Sequence, residues 1–274
     1  MIIVNSYHID KNLVITPEQI SRAIENQEFT PYFQPIFCSI SGDLTGCEVL
    51  LRWEHPEMRM IFPEQFIPVA ESSNLIVPLT SLLMKKTESI LKYATHLMPD
   101  NFYIGINVNS DNILAPEFEQ QCIRMLEQLG KKKIKLVLEL SERIKFQDTS
   151  KIHAAIETLQ NNNILFALDD FGMEYSTFHC LQSIPVDFIK LDKIFIQRCG
   201  TNNVSDAIVD SVTMLARRLR INIVAEGIET IEQAISIKNK GIEYLQGYLF
   251  SPPVSGEVFI RKCLLSTESG INLG

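Results

Sequence analysis

The chain has 274 residues, of which 46% are hydrophobic and 21% are charged. This composition is typical of a globular protein and excludes a disordered or fibrous one, and the length is near the ~250 residues of a single α/β barrel. The formal net charge of −8 gives no attraction to a nucleic-acid polymer or an anionic lipid surface, so neither is expected as a partner.

The predicted elements alternate between helices and strands. Residues 16–19 form a capping box with proline at the first helical position, which opens a helix toward Glu28. Short apolar runs predict strands at 32–37, 46–53, 102–108, 135–140, 164–168, 187–191, 221–225 and 244–250. Amphipathic stretches predict helices at 63–70, 78–97, 116–129, 150–161, 204–220 and 230–240. This alternation predicts a parallel sheet covered by helices, and about eight strands favour a closed barrel over an open sheet.

No apolar run approaches the roughly 20 residues of a membrane-spanning helix, and residues 1–11 lack a signal-peptide pattern. We therefore expect a cytoplasmic protein without direct membrane insertion. The six cysteines contain no Cys-x-x-Cys pair and are interpreted as reduced thiols, mostly small core residues. The sequence has no zinc-type histidine spacing, no Gly-x-Ser-x-Gly elbow and no Gly-rich phosphate loop, so any chemistry must come from carboxylates.

Polar side chains recur where the predicted strands end. They are Glu48, within the second strand, and then Asn107, Glu139, Asp169, Asp170, Asp192 and Glu226. A single buried carboxylate is usually a cap or an ion pair, but several that converge on one barrel mouth repel one another unless cations hold them. Lys190 is the one cation in the set. Oxygen ligands without His or Cys select Mg²⁺, Mn²⁺ or Ca²⁺, so the pattern predicts a metal-dependent barrel enzyme acting on a phosphate or an enolisable acid.

The same residues resemble the EAL domain of cyclic di-GMP phosphodiesterases. Glu48-Val49-Leu50 stands where that family has Glu-Ala-Leu, and further blocks match in the family's order and spacing from Gln19 to Val254. These blocks are residues 34–36, 66–71, 106–108, 139–142, 169–172, 190–192, 225–230 and 246–248. The triplet alone would carry little weight, whereas the ordered series is specific.

The resemblance implies a TIM-like (β/α)8 barrel with one antiparallel strand, in a single domain over residues 16–264. Residues 1–15 would be an N-terminal extension and residues 265–274 a C-terminal tail. The implied activity is the hydrolysis of cyclic di-GMP to linear pGpG with two Mg²⁺ or Mn²⁺ ions, which lowers the second messenger that controls biofilm formation and motility. A homodimer is compatible with this resemblance. Residues 1–15 are too few for a sensory domain, so we expect regulation through expression, dimerisation or partners, unless the chain is an excised domain.

The resemblance also implies roles for individual positions. The metal ligands would be Glu48, Asn107, Glu139, Asp169, Asp170 and Asp192, with Asp169 as the bridging ligand. The catalytic residues would be Glu48, Lys190, which would help to hold the nucleophilic water, and Glu226. The substrate contacts would be Gln34, Arg52 and Gln246, and the loop or supporting residues Glu142, Glu174 and Glu229.

Several of these residues also have purely structural interpretations. Arg52 could pair with a surface carboxylate, Gln34 could satisfy backbone groups, and Glu229 could favour the dipole of a helix on whose first turn it would lie. Trp53 and Phe66 are expected in the core and not as platforms for base stacking.

One departure from the family pattern leaves an alternative open. Where the family has Asp-Asp-Phe-Gly-Thr-Gly, this chain has Met173 and Glu174 after Gly172, which removes a glycine that can adopt φ > 0. A catalytically weak domain that binds cyclic di-GMP or a protein partner is therefore the first alternative. The second is an unrelated metal-dependent barrel that acts on a carboxylic acid, against which the presence of Gln34, Arg52 and Gln246 argues.

Overall fold

The structure is a computed structural model that describes residues 14–131, 133–141, 149–173, 177–200 and 203–265. Its strands are β1 (Phe29–Cys38), β2 (Leu44–His55), β3 (Arg59–Ile61), β4 (Phe102–Val108), β5 (Ile134–Ser141), β6 (Leu165–Phe171), β7 (Phe188–Leu191), β8 (Asn222–Ala225), β9 (Tyr244–Gln246) and β10 (Val254–Ser255). Its α-helices are α1 (Pro17–Glu25), α2 (Pro63–Ser72), α3 (Ile76–Leu91), α4 (Ser110–Leu114), α5 (Phe118–Leu129), α6 (Thr149–Asn161), α7 (Thr177–Ser183), α8 (Lys193–Gln197), α9 (Asn203–Leu219), α10 (Ile231–Asn239) and α11 (Gly256–Phe259). A 3₁₀ turn covers Thr95–Leu97 and a π-helical turn covers Ile260–Leu264.

Eight of the strands close into a barrel in the order β1-β9-β8-β7-β6-β5-β4-β2, and β2 pairs back to β1. β2 and β4 to β9 run parallel to one another, whereas β1 is antiparallel to both of its barrel neighbours. The short connection between β1 and β2 requires this reversal, because a hairpin joins antiparallel strands only. The predicted TIM-like barrel with one antiparallel strand is confirmed.

Side chains inside the barrel form two layers, because alternate residues of a strand point to opposite faces. The lower layer is apolar and contains Ile36, Tyr103, Val137, Ala167, Phe188 and Val224. The upper layer is polar. On each parallel strand its residue comes two positions after the lower-layer residue, and on antiparallel β1 it comes two positions before. The upper layer contains Gln34, Glu48, Glu139, Asp169, Lys190, Glu226 and Gln246, with Gly105 at the equivalent place on β4. The upper layer therefore lies toward the carboxyl ends of the parallel strands, where barrel enzymes carry their active sites.

The outward faces of the strands pack against the surrounding helices in one large apolar core. Trp53 and Phe66 lie in this core, 1% and 0% exposed, with ring centroids 5.9 Å apart, as expected. The cysteines are free thiols, and four of the six are buried. Within the described residues, no helix is both long enough and apolar enough to cross a membrane.

Several predicted boundaries were wrong, among them the start of β1, which was placed at residue 32 and lies at Phe29. Helix α1 ends at Glu25 and not near Glu28, because Gln27 takes a positive φ of 62° and reverses the chain. The predicted helix 78–97 is α3, which ends at Leu91, followed by the separate 3₁₀ turn. The predicted strand 244–250 ends at Gln246, since Phe250 and Ser251 donate backbone hydrogen bonds to the Gly247 carbonyl and form a turn. The helix predicted from residue 116 begins at Phe118.

Candidate active site

The ammonium group of Lys190 lies among four carboxylates in the upper layer, which we call the carboxylate cluster. Lys190 Nζ is 2.6 Å from Glu139 Oε2, 2.8 Å from Glu226 Oε1, and 3.1 Å from both Glu48 Oε2 and Asp169 Oδ1. Lys190 is 1% exposed, so its charge is almost wholly compensated by this cluster and not by water. The structure therefore brings together acidic residues from strands β2, β5 and β6. The fourth, Glu226, directly follows β8.

Neutral amides complete the surroundings of Glu48. Gln246 Nε2 donates to Glu48 Oε2 at 2.7 Å, and Asn107 Nδ2 donates to Glu48 Oε1 at 2.8 Å. Gln246 Nε2 also donates to Gln34 Oε1 at 3.1 Å, and Gln34 Nε2 donates to the Ser251 carbonyl at 3.4 Å. Gln34 thus satisfies a backbone group, as its structural interpretation predicted, and is also linked to the cluster through Gln246.

The pKa values follow from burial and from this crowding. Burial alone would raise the pKa of Glu48, but Lys190 and the amides of Gln246 and Asn107 hold it below its usual value. Burial, together with the charges of Glu48 and Asp169, raises the pKa of Glu139 to about 8 against the opposing effect of Lys190. Burial would lower the pKa of Lys190, yet the surrounding carboxylates raise it well above its usual value. The carboxylates thus favour the ammonium form of Lys190, which donates hydrogen bonds to them.

Glu226 has a pKa well above its usual value, because burial outweighs the attraction of Lys190. Burial and mutual repulsion thus make negative charge on Glu139 and Glu226 costly, with Lys190 as the opposing charge. Additional cations would lower this cost.

Two residues that the sequence did not point to determine the position of Glu139: Tyr103 in the lower layer and Gly105 in the upper layer. The hydroxyl of Tyr103 donates to Glu139 Oε1 at 2.5 Å. Gly105 provides the space, because a Cβ at this position would clash with the same oxygen. The sequence does show a tyrosine two residues before a glycine within a predicted strand. This pattern predicts a contact with Glu139 only when the register between β4 and β5 is known.

The donor set fits divalent cations. Asp169, Asp170 and Glu226 each offer a carboxylate oxygen, and these oxygens lie within 4.8 Å of one another. Asp169 Oδ1 is buried without a hydrogen-bond partner, although the Lys190 ammonium lies 3.1 Å away, so it is available as a ligand. Asp170 has a positive φ of 54°, a conformation that Asp and Asn tolerate better than most residues. Oxygen donors of this kind are those that Mg²⁺ and Mn²⁺ prefer.

The remaining predicted residues lie in different environments. Asp192 is not part of that group of three; its Oδ1 accepts a hydrogen bond from the Ile194 backbone at 2.7 Å and caps α8. Arg52 is half-buried, donates to the Leu51 carbonyl at 2.9 Å, and its guanidinium carbon lies 5.5 Å from the centre of the Phe62 ring.

The placement of Glu229 on the first turn of a helix was wrong. Thr230 is the N-cap and α10 begins at Ile231, so Glu229 precedes the helix; its backbone N–H donates to Gln233 Oε1 at 2.8 Å. Its side chain is exposed. Glu142 and Glu174 lie outside the described residues, and their predicted supporting roles stay predictions.

Comparisons with known proteins agree with this geometry. A family model described as EAL domain matches residues 17–253. The chain is 52% identical over 261 residues to the cyclic di-GMP phosphodiesterase PdeL of Escherichia coli K12, covering 95% of this chain and 71% of the relative. It is 39% identical to the probable cyclic di-GMP phosphodiesterase PdeG of the same organism, covering 89% of this chain and 48% of the relative. The chain therefore spans most of one relative and about half of the other.

Solved structures show the same fold. The EAL enzyme Bd1971, in its form with cAMP and cyclic di-GMP bound, superposes with a TM-score of 0.82 at 30% identity, over 89% of this chain and 67% of that one. The cyclic di-GMP complex of the PaMucR phosphodiesterase superposes with a TM-score of 0.78 at 27% identity, over 88% of this chain and 97% of that one.

Proposed function

The chain belongs to the EAL domain family, and from this membership and the geometry of its barrel mouth we propose that it is a metal-dependent phosphodiesterase that hydrolyses cyclic di-GMP to linear pGpG. The product is the dinucleotide left when one of the two phosphodiester bonds is broken. Such an activity would lower the concentration of the second messenger.

The observation that carries the proposal is the carboxylate cluster around Lys190. Four carboxylates face a single ammonium group at 2.6 to 3.1 Å. One of their oxygens, Asp169 Oδ1, is buried and has this ion pair but no hydrogen bond. A protein gains no stability from such mutual repulsion, because buried carboxylates without enough counter-charge are costly. Bound cations would offset this repulsion, which supports a metal site at the cluster.

We propose that two Mg²⁺ or Mn²⁺ ions bind to Glu48, Asn107, Glu139, Asp169, Asp170 and Asp192. When bound, divalent cations lower the pKa of water and stabilise the oxygens that gain charge during phosphodiester cleavage. Glu48 is held for this role by Gln246 and Asn107, which fix both of its oxygens. Asn107 donates through its amide nitrogen, so its amide oxygen is the atom to offer to a cation. Asp192 uses Oδ1 as a helix cap, so Oδ2 is the oxygen to offer.

The chain's own cation has a separate task. The carboxylates around Lys190 raise its pKa well above the usual value, which favours the ammonium form. In that form it can orient an attacking water by donating a hydrogen bond. Glu226, 2.8 Å from Lys190, is placed to share this water.

Arg52, Gln34 and Gln246 are proposed to bind the dinucleotide. Arg52 lies on β2 four residues after Glu48 and on the same face, since side chains alternate along a strand. Its planar guanidinium is suited to a two-pronged contact with phosphate oxygens. The packing of Arg52 over Phe62 orients the group before the ligand arrives.

A weakly active receptor for cyclic di-GMP is the second candidate. It is favoured by Met173, which is 48% exposed and stands with Glu174 in place of the family's Thr-Gly after Gly172. Hydrolysis and binding separate the two candidates, because a receptor would retain the ligand unchanged.

The test is chromatography of cyclic di-GMP after incubation with the full chain, with Mn²⁺, with Mg²⁺ and with a chelator. The enzyme proposal expects pGpG with either metal and none with the chelator. Binding of intact cyclic di-GMP with no product under any condition would support the receptor instead. Product that forms equally with the chelator would contradict the metal requirement.

A further inference from the structure

A phenol hydroxyl reaches the carboxylate cluster from the apolar layer below it. Tyr103 is 4% exposed, and its hydroxyl donates to Glu139 Oε1 at 2.5 Å. On the other side of the same carboxylate, Lys190 Nζ lies 2.6 Å from Glu139 Oε2. The two oxygens of Glu139 are therefore distinguished: one faces a neutral donor inside the barrel, and the other faces the cation at the barrel mouth.

The tyrosine ring is fixed by its surroundings. It stacks on Phe188 with centroids 5.1 Å apart and an interplanar angle of 25°. Gly46 on the neighbouring strand β2 lets Tyr103 lie close to that strand. A Cβ at Gly46 would come within 2.6 Å of Tyr103 Cβ. Gly105 leaves the hydroxyl and Glu139 room to meet, since a Cβ there would occupy the place of Glu139 Oε1. Two glycines on adjacent strands thus accommodate one tyrosine.

We propose that Tyr103 is a positioning residue for metal binding, which holds Glu139 Oε1 so that Oε2 is the oxygen presented to a cation. The inference rests on the proposed function, because it assumes that Glu139 is a metal ligand. It differs from a role in folding, since the hydroxyl acts on the orientation of one carboxylate.

The hydrogen bond matters because Glu139 is fully buried, at 0% exposure. Water cannot readily replace a missing donor at Oε1, so Glu139 without the tyrosine hydroxyl keeps Lys190 but loses its neutral hydrogen-bond donor. Without that donor the Glu139 carboxylate can rotate, so that either oxygen, or both, accepts from Lys190. Hydrogen-bond partners fix the orientation of carboxylates that bind metals. Glu139 would lose this fixed orientation, and the cation site would be weakened.

The experiment is a titration of the metal-free full chain with Mn²⁺, followed by the electron paramagnetic resonance signal of the unbound ion. Tyr103→Phe removes the hydroxyl and keeps the ring. Tyr244→Phe is the matched control, because Tyr244 contacts the same Phe188 ring, with centroids 5.9 Å apart. We expect Tyr103→Phe to weaken Mn²⁺ binding about tenfold, the lower end of the range for outer partners of metal ligands, and Tyr244→Phe to leave it within about twofold.

A second variant and a kinetic measurement separate positioning from folding. Gly105→Ala keeps the hydroxyl but crowds Glu139 Oε1, so it should also weaken Mn²⁺ binding. Raising Mn²⁺ should restore the kcat of Tyr103→Phe with no change in KM for cyclic di-GMP, whereas a folding defect would lower the melting temperature without such rescue. Equal Mn²⁺ affinity of Tyr103→Phe and wild type would overturn the inference. Wild type that binds no Mn²⁺ would overturn the proposed function itself, and this inference with it.

Discussion

Lys190 Nζ lies 2.6 Å from Glu139 Oε2, and both side chains are sealed from solvent, at 1% and 0% exposure. The two residues come from β7 and β5, with β6 between them, so the ion pair crosses the inside of the barrel. The lysine is the internal counter-ion of the carboxylate cluster, but one positive charge does not balance four acidic groups. Buried carboxylates of the cluster therefore lack full counter-charge in the protein alone.

Removal of the internal cation should make stability depend on metal. In Lys190→Met the cluster loses its ammonium group, and breaking a buried ion pair costs about 3–5 kcal/mol. Mn²⁺ should recover part of this loss, so the metal should stabilise the variant more than the wild type. Urea denaturation with and without Mn²⁺ measures both quantities, with exposed Lys85→Met as the matched control. If Lys190→Met loses the same free energy of unfolding with and without Mn²⁺, the cluster binds no cation.

Glu48→Gln should abolish hydrolysis while the fold is kept. The amide retains an acceptor for Gln246 or Asn107, and the loss of one of four crowded carboxylates relieves repulsion, so stability should change by less than about 1 kcal/mol. The rate of pGpG formation should fall more than about 100-fold, beyond the effect of an outer partner. Glu54→Gln, exposed on the same strand, should have the wild-type rate. An unchanged rate in Glu48→Gln would remove this residue from the proposed ligands.

Asp170 should separate backbone conformation from metal binding. Its φ of 54° is tolerated by Asn, so Asp170→Asn should stay within about 0.5 kcal/mol of wild-type stability but require more Mn²⁺ for activity. Asp170→Ala has the same loss of charge and adds strain of about 1–2 kcal/mol. Melting curves and Mn²⁺ dependence measured on both variants test this distinction. Two variants with equal stability would show that the conformation carries no strain.

Gly247→Ala should disturb the position of Gln246. A Cβ at Gly247 would clash with the backbone nitrogen and oxygen of Ile228, neither of which can rotate away. Overpacking of this kind costs about 1–3 kcal/mol, and the shift should reach the Gln246 amide that holds Glu48.

Gly130→Ala is the comparison for this prediction, since nothing lies within 4 Å of a Cβ there and its φ of 94° is the sole source of strain. Chemical denaturation should find Gly247→Ala the less stable variant, with the lower hydrolytic rate. If Gly247→Ala is the more stable of the two variants, the backbone at Gly247 is not packed tightly against Ile228.

The architecture was predictable because local patterns and global fold agree. The strand Phe102–Val108 matches its prediction at both ends, since an apolar run passes there into the polar Asn107–Asn109 segment. The polar side chains at the strand ends were visible for the same reason: parallel strands that close a barrel bring their carboxyl ends together. That one strand is antiparallel came from the family resemblance and not from periodicity, and the structure identifies this strand as β1.

Other features depend on tertiary structure. The end of α1 was missed because Gln27, and not a glycine, takes the left-handed conformation. The last barrel strand was predicted too long, since nothing in an apolar run reveals that Gly247 turns the chain against Ile228. The contact between Tyr103 and Glu139 joins residues 36 positions apart, and it depends on a register between β4 and β5 that sequence alone does not give.

The central claim is that the carboxylate cluster holds divalent ions together with cyclic di-GMP. Anomalous diffraction from crystals grown with Mn²⁺ and the ligand tests it most directly, because manganese atoms are then located without reference to any catalytic assay. The account predicts manganese peaks bounded by Glu48, Glu139 and Asp169, with a ligand phosphate beside them. Ligand bound at the barrel mouth with no manganese there, or manganese bound elsewhere on the molecule, would contradict it.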